Sequence, residues 1–511
     1  MKTSRHQNVA RRKRRIERRL RPRTWKAQPT PMYRASNIQY EHSDRVRGLA
    51  SGGIGAMHQL AQHTGLVEAI DRHVEVLKVH LPYHESDHVL GIAYNVLSGG
   101  TCLQDIEQRR QDEVYLDALG AQRIPDPTTA GDFCRRFDEP AIEALQTAIN
   151  ETRLRVWRAQ PDAFFDEAVI DADGTLAETT GQCKEGMDIS YDGVWGYHPL
   201  VVSLANTGEP LYLVNRSGNR PSSEGAADRF DQARALCQDA GFRRLTFRGD
   251  TDFSQTEHLD RWDAAGVRFL FGYDARANLI READALPAPA WTPLVRRPAY
   301  EVQTQPRQRP ANVKAAIIVE REFKNLRLEA EAVAEFPYEP VACTKSYRMV
   351  VVRKNISVEQ GDQRLFDEIR YFFYLTNDQE TAAADVVFLA NDRCNQENLI
   401  DQLKHGVGAT RMPVDTLLSN WAYMVMAALA WTLKAWFALR LPTTGRWAAR
   451  YAAEKAAVLR MEFKAFLHAF VLIPVQLVRT SRRLVFRLLA WNPWQAVFLR
   501  GFDHLREPLR C

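Results

Sequence analysis

From Gly52 to about Gln160 apolar residues return at helical spacing: Ile54, Met57 and Leu60, then Val89, Ile92, Ala93, Val96 and Leu97. A three-and-four period gathers them on one helical face. Gly99-Gly100 and Pro125–Pro127 interrupt it, so the pattern predicts a small all-helical domain over residues 51–160. Residues 27–50 ahead of it carry no clear period and read as a linker.

At Phe164 the texture changes. Ala168-Val169-Ile170 reads as a short buried strand running into Asp171-Ala-Asp173-Gly-Thr175. Residues 198–219 read as two strands around the Asn206-Thr-Gly-Glu-Pro turn, a hairpin signal. A helix from about Ser223 to Ala240 follows, closed by Gly241. Next come a strand over 244–250 ending in Asp250, a Ser-capped helix from Ser254 to Ala265, and a strand over 267–274. This later order is βαβ-like, and it demands a parallel sheet covered by helices. Residues 161–274 therefore form the first part of an α/β core with a mixed sheet.

From about Ala275 to Asp362 the chain turns to Pro-rich loops and alternating strands, with 315–323, 325–333 and 347–355 as examples. This predicts a β-rich insertion over 275–362. Residues 371–377 return to the core as a buried strand, within a second core part over 363–440. The rest reads as helical, with breaks at Gly406–Gly408, Pro442 and Pro493, and 441–511 as a helical C-terminal region. Leu417–Leu439 is long and apolar enough to raise the question of a membrane span. Asn420 and Lys434 interrupt it, and a buried core helix is the expectation.

In open sheets of this type function gathers at the carboxyl ends of the strands. Asp173 and Asp250 both lie at such ends. Asp171 stands two residues before Asp173, hence on the same face; Asp173 is preferred for its place at the strand end, with Asp171 as the alternative. Asp252 falls past its strand end and reads as a turn or cap residue. A third acid comes from residues 391–406. At about 100° per residue, Arg393, Glu397 and Lys404 share one narrow helical stripe. Asp173, Asp250 and Glu397 together offer the hard oxygen ligands that suit Mg²⁺ (or Mn²⁺). Two such ions support in-line phosphoryl displacement.

Charge sharpens the picture. Of the net +5, residues 1–26 carry +11, with twelve Lys and Arg against Glu17 alone, which leaves −6 on residues 27–511. Arg11, Arg12, Lys13, Arg14 and Arg15 head a run to Arg23. Such an arm repels itself, is expected to stay extended alone, and gains free energy by displacing counterions from nucleic acid. The seven cysteines are scattered without a CxxC pair, which points to a reducing cytoplasm.

At these residues the sequence resembles the DDE transposases of bacterial insertion sequences, in the cut-and-paste branch with a β-strand insertion between the second Asp and the Glu. Arg393, Glu397 and Lys404 fit that branch's Y-x2-R-x3-E-x6-K motif, with Ala390 at the tyrosine position. Asp171–Thr175 followed by Gly196-Tyr-His-Pro199 resembles its first motif, and Arg248–Phe253 its second. The likeness spans roughly residues 50–490. It implies an RNase H-like core with Asp173, Asp250 and Glu397 as metal-binding catalytic acids, and DNA contacts by Arg393 and Lys404. It also implies Mg²⁺ dependence, cleavage of transposon ends through a hairpinned end, and strand transfer into double-stranded target DNA. A homodimer on paired ends, in a cytoplasmic, nucleoid-associated setting, completes the expectation. The alternatives are a nuclease of the same fold that cuts without joining, and an inactive DNA-binding derivative.

Other signals carry less. His84-Glu-Ser-Asp-His88 formally matches a zinc-peptidase motif, but the helix is expected to start near Ser86, which leaves His84 outside it. His198 reads as structural or phosphate-facing. Trp291, in the insertion, is a candidate base-stacking platform or a packing residue of its own domain. Arg479, Arg482 and Arg483 are candidate DNA contacts or solvated helix residues.

Overall fold

The computed structural model describes residues 2–20, 38–39, 46–296, 313–361, 363–480 and 483–505. Nine strands form one mixed sheet: β1 (Ala168–Gly174), β2 (Leu200–Leu204), β3 (Glu209–Val214), β4 (Leu245–Gly249), β5 (Arg268–Tyr273), β6 (Thr292–Pro293), β7 (Lys324–Tyr338), β8 (Tyr347–Gln360) and β9 (Gln363–Thr376). Their order is β6-β7-β8-β9-β5-β4-β1-β2-β3. β1, β4 and β5 run parallel, β2 is antiparallel to β1, and β3 is antiparallel to β2. The 3-2-1-4-5 arrangement with this polarity is an RNase H-like sheet.

The long ladder β7-β8-β9 joins that sheet only through the end of β9, where Phe373–Thr376 pair with Leu270–Tyr273. The segment 315–323, expected as a strand, is instead a helix, Val313–Glu320. A short apolar run does not distinguish the two by period alone. The helix is closed by a left-handed Glu322 (φ 52°) and a bond from Phe323 N to Ile318 O, after which β7 begins.

Two helical layers cover the core sheet. Helix α3 (Ala226–Ala240) lies on one face, where Phe230 stacks on Phe247 of β4 at 4.6 Å. Helices α4 (Ala383–Asn391) and α5 (Cys394–Asp401) approach the sheet where Arg248, the next residue after Phe247, points the opposite way.

The helical segment expected over residues 51–160 ends in helix α2 (Glu139–Arg158), and its buried side chains are continuous with those of the sheet. Helix α6 (Leu417–Leu439) joins them. Its membrane-length apolar window is entirely buried inside the protein. Trp421, Trp431 and Trp436 donate their indole N–H to Leu213 O, Gly208 O and Glu209 Oε1, fastening α6 to β3 and its turn. Asn420 bonds Val414 O and Thr416 O, and Lys434 Nζ donates to Leu459 O, so both interrupting polar residues are satisfied internally.

The C-terminal region is helical except for an antiparallel hairpin, Val475–Arg479 with Leu484–Leu488, to which Gly48-Leu49 adds a third strand. Arg479 ends one hairpin strand and Arg483 sits in the turn, rather than on a helix; Arg482 lies outside the described residues. Most of the linker read over 27–50 also lies outside them.

The described part of the basic arm is helical in the folded chain. Lys2–Leu20 forms helix α1, consistent with the high helix propensity of Arg, Lys, Leu and Ala. Arg12 donates to Leu489 O, Lys13 lies 5.8 Å from the Trp491 ring, and Lys13 pairs with Glu17 at 3.6 Å. Arg14 bonds Ala10 O within the helix, and Arg11, Arg14 and Arg15 face solvent.

Candidate active site

Strands β1 and β4 lie side by side and end at the same edge, with Asp171 paired in register with Arg248. The period of two puts Asp171 and Asp173 on one face, and Arg248 and Asp250 on that same face. The inner couple is closed. Arg248 donates to both carboxylate oxygens of Asp171, at 2.7 and 2.8 Å, and to Leu389 O at 2.8 Å. Asp171 is wholly buried there. The outer couple, Asp173 and Asp250, remains open.

The third acid arrives from the other layer. Gln396 is buried and bonds Ser203 and, at 3.0 Å, Val201 O, which clamps α5 to β2. That clamp sets Glu397 above the strand ends. Nothing in the apolar pattern singles out Gln396, because its importance comes from a partner about 190 residues away.

All three acids meet one cation. Arg393 Nη1 lies 3.0 Å from Asp173 Oδ2 and 4.0 Å from Asp250 Oδ2, and Nη2 lies 4.0 Å from Glu397 Oε1. Burial pushes the Asp173 carboxyl up to about 7; Arg393 opposes this, while Asp250 and Glu397 add to it. Burial likewise raises Asp250, against Arg393 and the Asp252 N–H that its carboxylate accepts at 3.0 Å. Asp252 sits in the single 3₁₀ turn that Asp250 caps, as a turn residue.

The stripe arithmetic assumes one unbroken helix over 391–406. The structure breaks it: α4 ends at Asn391, Arg393 caps α5, and residues Gln402–Gly406 form a wider π turn. Lys404 still feels Asp173. Its pKa is lowered by burial, with Asp401 and Asp173 acting the other way.

Among the described residues no three His, Cys, Asp or Glu side chains are packed as a ready metal cage. At this site the guanidinium stands between the acids. Their donor set nevertheless fits a hard divalent cation, since three carboxylates from distant parts of the chain already converge on positive charge.

The remaining candidates lie elsewhere or are engaged in packing. His84 caps the helix Glu85–Leu97 from outside, and His88 stacks on Phe133 at 4.2 Å, so the pair does not face one ligand. His198 is buried, donates from Nδ1 to Arg220 O at 2.8 Å, and presses on Gly174, where a Cβ would come 2.8 Å from its Nε2. Trp291 packs on the ladder with the Arg353 guanidinium 4.2 Å from its ring centroid and Tyr371 at 6.3 Å. The arm residues Arg11–Arg15 sit on α1, with Arg12 and Lys13 against the C-terminal segment.

No curated protein matches the chain. A cryo-EM structure titled as a piggyBac transposase synaptic complex with hairpin DNA aligns at a TM-score of 0.37 and 9% identity, covering 83% of this chain and 80% of that one. The model of the family described as Transposase DDE domain group 1 matches residues 47–509. That is nearly the whole chain, and with it the protein belongs to the DDE transposases, enzymes that cleave and join DNA.

Proposed function

We propose that this transposase cuts the ends of its element with Asp173, Asp250 and Glu397 as catalytic acids, and that Mg²⁺ (or Mn²⁺) is the ion they hold. The reading rests on one observation: acids at positions 173, 250 and 397 converge on the guanidinium of Arg393. When bound, the metal activates the attacking hydroxyl and stabilises the leaving oxygen. Arg393 keeps the three like charges together beforehand, and with the acids otherwise neutralised its own charge is free for a DNA phosphate. Lys404 adds a second cation on the same side. Water is the nucleophile for the first cut, and the freed 3′-hydroxyl for the later steps.

The chain order supports the cut-and-paste branch of bacterial insertion-sequence enzymes, because the β7-β8-β9 ladder falls between Asp250 and Glu397. Work on two ends at once favours a homodimer, and the free thiols of the six described cysteines suit a cytoplasmic, nucleoid-associated enzyme. Arg11–Arg15 and the rest of the arm supply counterion-releasing contacts to the duplex.

The test is Mg²⁺-dependent cleavage of a duplex carrying the element's own inverted repeat. Asp173→Asn, Asp250→Asn and Glu397→Gln are each expected to lose cleavage by more than about 100-fold while still binding the duplex. Wild-type rates in all three would refute the assignment. Pre-cut ends with a free 3′-hydroxyl test joining: a nuclease would leave them unjoined.

A further inference from the structure

The β7-β8-β9 ladder has a free edge. β9 is 14 residues long, and only its end, Phe373–Thr376, pairs with β5. Its inner side pairs with β8 over most of its length. Among the described residues no strand pairs with the outer side of Gln363–Phe372. At strand rise that is roughly 30 Å of backbone whose outward N–H and C=O groups have no ladder partner. The register with β8 runs unbroken from Phe366 to Thr376, so the edge over 366–372 is a regular strand. No proline interrupts it.

The side chains on this edge are uncovered too: Phe366 and Ile369 are each 54% exposed and Phe372 41%. An open edge that also carries large apolar side chains is a template for a further strand. The opposite edge of the ladder is spoiled for that purpose. There β7 bulges between Leu328 and Ala330, β6 pairs with Ala332 and Val333, and Leu294 N donates to Glu331 O at 2.9 Å.

The order of residues on the open edge selects its occupant. Phe366-Asp-Glu-Ile-Arg-Tyr-Phe372 is nearly a palindrome about Ile369. Two copies paired antiparallel around a two-fold axis at Ile369 set residues equally far before and after it opposite each other. Glu368 of each copy then faces Arg370 of the other, Phe366 faces Phe372, and Asp367 faces Tyr371. The period of two gathers the aromatic pairs and the ion pairs on one face. Aromatic and opposite-charge cross-strand pairs are the stabilising kinds. Moving the axis to Glu368 or to Arg370 would set a like charge against itself. Duplex DNA is a poorer occupant, because Arg364 and Arg370 are balanced by Asp367 and Glu368, which they already meet at 2.9 and 2.7 Å within the strand.

We infer that the transposase dimerises by adding β9 to β9 of a second copy, antiparallel about Ile369, so that the two ladders become one continuous sheet. The inference rests on the homodimer of the proposed function and names its surface. Backbone bonds along the edge hold the copies together, and the palindrome fixes their register.

The test uses the full-length chain in metal-free buffer, where cleavage plays no part, both free and bound to a duplex of the element's inverted repeat. Residues opposed across an antiparallel pair have Cα atoms about 4.5–5.5 Å apart, within disulfide range. Under mild oxidation Ile369→Cys should therefore give a covalent dimer well above the background of the wild type, whose Cys183 and Cys394 are exposed. Phe366→Cys and Phe372→Cys should each stay at background alone and join when mixed. In sedimentation, Glu368→Arg and Arg370→Glu should each weaken the dimer by about tenfold, and the two together should restore it, since the swap keeps opposite charges facing. A dimer in which the Ile369→Cys thiols stay unjoined would overturn the edge and leave the homodimer standing, as would a double charge variant no better than the singles. A monomer both free and on the repeat would overturn the two together.

Discussion

Four residues on two neighbouring strands divide the work at the sheet edge. Asp171 and Arg248 neutralise each other in the interior, while Asp173 and Asp250 face the open side, where Arg393 meets them. Both Asp171→Asn and Asp173→Asn are therefore expected to stop cleavage, for different reasons. Asp171→Asn leaves Arg248 buried and uncompensated, a loss of about 3–5 kcal/mol that chemical denaturation would register. Asp173→Asn removes a carboxyl that burial and its like-charged neighbours disfavour, so its unfolding midpoint should stay at or above the wild-type value. Arg393 supplies a second contrast. Without it the acids repel one another, so Arg393→Ala should melt earlier in metal-free buffer and gain more from added Mg²⁺ than the wild type does. Sequence parity alone leaves Asp171 and Asp173 undivided, because residues two apart share a face. The partner that separates them, Arg248, is adjacent only once the sheet forms.

Elements are legible where their period is strong and their length ordinary. β1 to β5, α3 and α6 stand near where their patterns put them. The failures are informative. The helix Val313–Glu320 has the apolar run of a strand, and the Arg393–Lys404 stripe presumes a single helix that is in fact interrupted at Arg393 and widened after Asp401. Around the stripe, tertiary bonds set the geometry, through Gln396 on β2 and Arg248 on Leu389 O. The packing of α6 on helix α7 (Ala448–Arg460) carries a pH signature. Lys434 of α6 donates to Leu459 O, Lys455 of α7 donates to Leu439 O, and burial brings the Lys434 ammonium down to about 7. Above that pH the folded chain has released a proton that the unfolded chain keeps until its ordinary value of 10.5. Stability therefore rises with pH across this window, and the penalty is complete below it. Lys434→Met should flatten the rise between pH 7 and 9 in urea unfolding, without loss of stability at pH 7.

For the whole molecule, the surprise is continuity. The helical segment before the sheet and the helices after it close around α6, so the catalytic sheet has no separate core. Glu209, wholly buried, ties this together by accepting from Arg153, Trp157 and Trp436. Glu209→Gln should lower the free energy of unfolding by roughly 3 kcal/mol in one cooperative transition, rather than release one part alone. The arm acts at the same scale but through charge. Removing residues 1–26 should weaken DNA binding and flatten its salt dependence by about 0.9 log units for each phosphate the arm neutralises, while leaving metal binding intact.

Convergence of the three acids can be read without any DNA. Fe²⁺ loaded in place of Mg²⁺, with ascorbate and peroxide, breaks backbone close to where it sits. Fragments ending near residues 173, 250 and 397 are expected together, and all three should fade in Asp173→Asn. Cutting near only one of these positions, or a pattern unchanged by the substitution, would mean that the acids do not share an ion.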